Sequence, residues 1–125
     1  MALAISAPLL TACSDDNSSI SAEYNFNRIS SFMVCEQLDQ NCNSDTETVA
    51  EIVAVTPDGN TLIYTDSAQE QLGFVDITTS DLPIAKGVYP LNGEPTSVAV
   101  KGDYALAAVN TSNDYIDVSG ELSVI

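Results

Sequence analysis

The strongest constraint on this chain is that it nearly repeats itself. Residues 48–77 read TVAEIVAVTPDGNTLIYTDSAQEQLGFVDI, three short β-rich runs separated by two turns, and the outline returns between Glu94 and Ile125. Val98-Ala99-Val100 falls on Val53-Ala54-Val55 at an offset of 45, and the same offset carries Asp58 to Asp103 and Ser67 to Ser112. A longer loop, NTSNDYIDVSG, then intervenes, so that Leu122 and Val124 fall on Leu72 and Phe74 at an offset of 50. Sequence periods of this size belong to repeated supersecondary units whose apolar faces are buried by their neighbours.

Each unit reads as an antiparallel meander. Val49 to Val55 is apolar on both parities apart from Glu51, which suits a strand covered on both faces. Thr56-Pro57-Asp58-Gly59-Asn60 is a turn: proline presets φ at one corner, and glycine or asparagine accepts the positive φ at the next. Thr61 to Thr65 and Gln71 to Ile77 follow as strands, with Gly73 leaving room for close packing between units. Ile84 to Leu91, carrying Lys86 and Pro90, has the marks of an edge strand. Four strands in about 45 residues is the size of one propeller blade. The expected fold is all-β, antiparallel four-stranded propeller blades, with blade 1 over 48–91 and blade 2, incomplete, over 94–125. Rings close with about four to eight blades, so the expectation is an incomplete propeller fragment. A small complete two-sheet domain with internal similarity is the alternative. Tyr24 to Val34 alternates imperfectly and is the candidate for a strand that closes such a ring.

The first residues have another character. Met1 to Ala12 are uncharged and mostly apolar, too short to span a bilayer as a helix, and run into Cys13 and the polar SDDNSS. Leu10-Thr11-Ala12-Cys13 resembles the lipobox of a bacterial lipoprotein signal peptide, in which the cysteine thiol takes the lipid. The basic segment expected ahead of the apolar stretch is missing, which suggests a truncated or mis-assigned start. This implies a signal peptide over 1–12, a flexible tether over 13–23, and a membrane partner reached through the lipid on Cys13. The location would be the exported, periplasmic or cell-surface side of an envelope. A buried N-terminal helix with an incidental cysteine is the plain alternative. In such an oxidising compartment Cys35 and Cys42, seven positions apart, are expected to pair as a disulfide.

Charge and composition exclude some functions. Three Lys and Arg against 18 Asp and Glu give a net charge of −15, a field that repels phosphate backbones, so nucleic acid is not an expected partner. The chain has no histidine, which removes imidazole-based catalysis and histidine metal ligation from these residues. Asn113, Asp114 and Asp117 could supply oxygens to calcium, which takes six to eight, roughly, from loops of this kind, but no established calcium-loop spacing is present. Asp and Asn also build turns by bonding to their own backbone, which accounts equally for their presence. Glu51 and Glu94 are placed to line a central channel if the strands that carry them are innermost. The Gly93-Glu94-Pro95-Thr96 corner is otherwise only a connection between blades.

The run ETVAEIVAV, TLIYTDS, LGFVDIT, with the Pro57-Asp58-Gly59-Asn60 turn between its first two strands, is similar to the blades of bacterial YVTN-type and quinoprotein-like propellers. With GEPTSVAV, YALAAVNTS and SGELSVI added, it resembles the N-terminal part of large exported bacterial proteins of the phytase-like esterase kind, often labelled alkaline phosphatase. The resemblance covers Arg28 to Ile125. It implies further blades as partners within the same protein, and phosphate-ester hydrolysis assisted by calcium. No catalytic motif of those proteins maps onto these residues. The competing function is a non-catalytic propeller that binds a protein or glycan.

Overall fold

A computed structural model of the protein describes residues 27–42, 45–114 and 116–125. Among these residues seven strands form two antiparallel meanders: β1 (Val53–Val55), β2 (Thr61–Asp66), β3 (Gln71–Asp76) and β4 (Ile84–Pro90) in one sheet, and β5 (Glu94–Lys101), β6 (Tyr104–Asn110) and β7 (Gly120–Val124) in the other. Neighbours in each sheet are neighbours in sequence. The all-β, antiparallel reading therefore holds, as four strands followed by three, and β4 is an edge strand, as Lys86 and Pro90 suggest.

Local chemistry sets the strand ends. In the first hairpin the Thr56 N–H donates to Thr61 O at 2.9 Å, and Asp58 Oδ1 accepts from Thr56 Oγ1 and from the Asn60 N–H. Gly59 takes φ +74° there, a value glycine adopts at no steric cost. The equivalent hairpin between β5 and β6 is two residues shorter, turning on Gly102 and Asp103 with Gly102 at φ +58°. A uniform offset of 45 would set Val98 opposite Val109, whereas Val98 stands opposite Ala107. With β1 and β5 superposed at 45, the second strands correspond at 43 and the third strands at 50.

Two sequence expectations require correction. β1 is three residues long, although Val49 to Val55 reads as a strand throughout. Side chains of β2 intervene: Thr65 Oγ1 accepts the Ile52 N–H at 3.1 Å and Asp66 Oδ1 accepts the Val49 N–H at 3.2 Å, where a ladder would use backbone carbonyls. The segment 49–52 thus stays beside β2 through an irregular, bulged pairing, in which the Thr65 N–H still donates to Ile52 O at 2.9 Å and the Glu51 N–H to Thr65 O at 3.3 Å. Secondly, the described part of the Tyr24–Val34 segment forms no strand. It passes into a 3₁₀ helix at Val34–Gln37, and Ser30 Oγ donates to Ser80 O at 2.6 Å. Phe32 and Val34 face the first sheet, but among the described residues the backbone of this segment joins no ladder.

The core lies between the sheets. Ile63, Leu72 and the partly buried Ala54 and Phe74 of the first sheet meet Val98, Ala105, Ala107, Val109 and the partly buried Val100 of the second. Large side chains on one surface oppose small ones on the other, so the two layers approach closely and interdigitate.

Candidate functional site

Strand alternation gives each sheet two faces. In the first sheet the packed face, here called the front, carries Ala54, Ile63, Leu72 and Phe74, and the back carries Val53, Val55, Leu62, Tyr64, Gly73 and Val75. In the second sheet the packed face carries Val98, Val100, Ala105 and Ala107, and the other carries Ala99, Leu106, Ala108, Leu122 and Val124. The repeat relates these faces in one particular way. Ala54, Ile63, Leu72 and Phe74 correspond to Ala99, Leu106, Leu122 and Val124, while Val53, Val55, Leu62 and Tyr64 correspond to Val98, Val100, Ala105 and Ala107. The front of the first sheet therefore packs on the back of the second, and among the described residues nothing packs on the front of the second. Leu72 is 0% exposed and its counterpart Leu122 is 65% exposed. A two-fold sandwich would set equivalent faces against each other; here the units follow one another in the same orientation.

The back of the first sheet is partly covered from the N-terminal side. Ser30, Phe32 and Val34 line a cavity of about 380 Å³ with Val53, Leu62, Tyr64 and Val75. The 3₁₀ helix is fastened by the Cys35–Cys42 disulfide, as the spacing predicted, and lies against β4. It directs Gln37 into the β-bulge between β3 and β4, where Nε2 donates to Phe74 O at 2.5 Å and Oε1 accepts the Gly87 N–H at 3.1 Å. One amide side chain replaces the ladder bonds that the bulge interrupts.

Tyr64 and Gly73 form a cross-strand pair on the same back. The tyrosine ring occupies the space above the glycine: a Cβ at Gly73 would stand 2.1 Å from Tyr64 Cζ. The room at Gly73 is thus filled within its own sheet, whereas the sequence suggested close packing between units. Among the described residues the buried Tyr64 hydroxyl has no hydrogen-bond partner. Burial first, and the nearby Asp66 carboxylate second, push its pKa up to about 12; Gln37 works the other way without reaching hydrogen-bond geometry.

The acidic side chains proposed for cation binding are engaged in turns. Asp114 Oδ1 accepts the backbone N–H groups of Ile116 and Asp117, both at 2.8 Å, and these bonds hold its carboxyl below the ordinary value. Asn113 and Asp114 line an open bowl with Glu94 and Glu121, while Asp117 meets Asp114 through its backbone N–H. Asp58 is lowered by Thr56 and Asn60, and Asp76 by Thr78, in the same way. Asp66 is buried and accepts from the N–H groups of Val49 and Gln69 and from Gln71 Nε2, which ties the segment entering β1 to the β2–β3 turn. Among the described residues no three His, Cys, Asp or Glu side chains gather as a metal site.

Glu51 lines the cavity behind the first sheet and Glu94 lines the bowl in front of the second, so the two carboxylates face separate concavities. Cys13, the 1–12 and 13–23 segments, and Tyr24 to Phe26 lie outside the described residues. No helix among the described residues is long and apolar enough to cross a membrane.

No family model, curated protein or solved structure matches this chain. Sequence reasoning missed Gln37 and the Tyr64–Gly73 pair. A glutamine in a polar loop carries no signal of its target, but an aromatic residue and a glycine at facing positions of adjacent predicted strands could have been paired.

Proposed function

We propose that the two meanders are successive blades of a β-propeller in a protein exported to a bacterial envelope and tethered there by lipid on Cys13. Within it they act as scaffold. The carrying observation is the front-to-back relation between repeats, which orients successive units alike and so propagates around an array in a way that a closed pair does not. The engagement of Asp58, Asp76 and Asp114 in local backbone bonds supports the scaffold role, because those carboxylates already have structural work. The phosphate-ester hydrolysis implied by the resemblance, and any calcium it uses, would then draw on residues beyond these blades.

Two measurements test the reading. In bacteria fed an alkyne fatty acid, the full chain should take up label and the Cys13→Ser variant should not. Purified chain, with and without calcium, should release no more product from a chromogenic phosphate ester than buffer does. Turnover above that control would overturn the scaffold role, and equal labelling of both chains would overturn the tether.

A further inference from the structure

The open front of the second sheet is the least explained surface of the molecule. Leu122 and Val124 are 65% and 59% exposed, and Ala99, Leu106 and Ala108 complete a contiguous apolar face around them. Single exposed hydrophobics require no explanation, whereas a patterned face does. Each of Ala99, Leu106, Leu122 and Val124 is the repeat counterpart of a residue that is packed in the first sheet. The surface is therefore a second copy of an interface whose partner is already visible.

We propose that this face receives the back of a third antiparallel meander of the same repeat. The required chemistry follows from the existing pair: small side chains on the central strand, as Ala105 and Ala107 provide, flanked by β-branched residues, as Val98 and Val100 provide. A second copy of this chain is a poorer fit. Its only free back is that of the first sheet, where the bulky Tyr64 stands in place of Ala107 and the segment bearing Ser30, Phe32 and Val34 already lies across it. The inference rests on the blade reading given above and names the partner of one face.

Ile125 holds the place of Val75, so appending a copy of residues 76–125 after Ile125 continues the repeat in phase. The copy supplies a fourth strand for the second sheet and then a third meander. The readout is relaxation of the Leu122 and Val124 methyl resonances by a soluble paramagnetic agent. In the extended chain these methyls should be shielded several-fold relative to the 125-residue chain, and Leu122→Asp in the original meander should expose Leu106 again. Unshielded methyls in a folded extended chain would overturn the inference while leaving the first two sheets, and the blade reading, intact. Packing of the added sheet through its front instead of its back would overturn both.

The 125-residue chain supplies a check that needs no extension. Leu122→Lys with Val124→Lys should lower binding of a hydrophobic dye and leave the melting temperature unchanged. Unfolding by that pair, or a sedimenting dimer with both methyls already shielded, would show the face to be occupied otherwise and overturn the proposal.

Discussion

Replacing Gly73 by alanine tests the fit at the centre of the first sheet. The new methyl would stand 2.1 Å from Tyr64 Cζ, with the Cε1 and hydroxyl oxygen of the same side chain at 2.3 Å. Carbon atoms rest at about 3.5–4.0 Å, so the ring must move by more than an ångström or the strands must part. Tyr64 is 2% exposed, so a ring that withdraws must move toward the cavity it lines with Phe32 and Val34 and give up its present contacts. Overpacking of this kind costs about 1–3 kcal/mol. In a Tyr64→Ala background the same methyl enters vacated space. There it contributes about 0.8 kcal/mol of apolar burial, and loss of glycine's unfolded-state freedom adds about 0.4–1 kcal/mol. The sign of Gly73→Ala should therefore reverse, with a coupling of about 2–4 kcal/mol between the two positions, read from urea unfolding of the four proteins in the double-mutant cycle. Additivity within about 0.5 kcal/mol would refute the reasoning, since it would mean that the ring and the glycine do not share space.

Other outcomes follow from the same contacts. Gln37→Ala leaves Phe74 O and the Gly87 N–H without their side-chain partner and should cost about 1–3 kcal/mol in urea unfolding, with faster amide exchange at Gly87. Tyr64→Phe removes a buried hydroxyl that has no partner and should leave stability unchanged or raised at neutral pH. With the Tyr64 pKa raised to about 12 in the fold, its contribution is fully present below the unfolded value near 10 and is lost as pH rises toward 12; thermal melts of Tyr64→Phe across this window should show a smaller alkaline loss. At the acid end Asp58, Asp76 and Asp114 lie below the ordinary 3.8, so their contribution is present above that value and is lost as pH falls through their folded values. Thr56→Val should raise the Asp58 pKa in an NMR titration, because the Thr56 hydroxyl is the largest cause of its lowering. Reducing the Cys35–Cys42 disulfide should lower the urea midpoint by the equivalent of at most about 3 kcal/mol, the scale expected for so short a loop.

Legible in the sequence alone are the two antiparallel meanders, the edge character of β4, the disulfide and the near-repeat. Each is written in local chemistry: alternation in TLIYTD, a proline and glycine in the Thr56–Asn60 turn, and two cysteines seven positions apart. The tertiary structure decided what local chemistry leaves open. It shortened β1, because Thr65 and Asp66 compete from the neighbouring strand for the N–H groups of Val49 and Ile52. It placed Gln37 in a bulge whose carbonyl lies 37 residues further along the chain. It also assigned the faces: the alternation in Ala54, Ile63 and Leu72 is as apolar as that in Ala99, Leu106 and Leu122, yet one set is packed and the other open. Periodicity establishes that a strand has two sides, but which side is buried depends on the surface that reaches it through space.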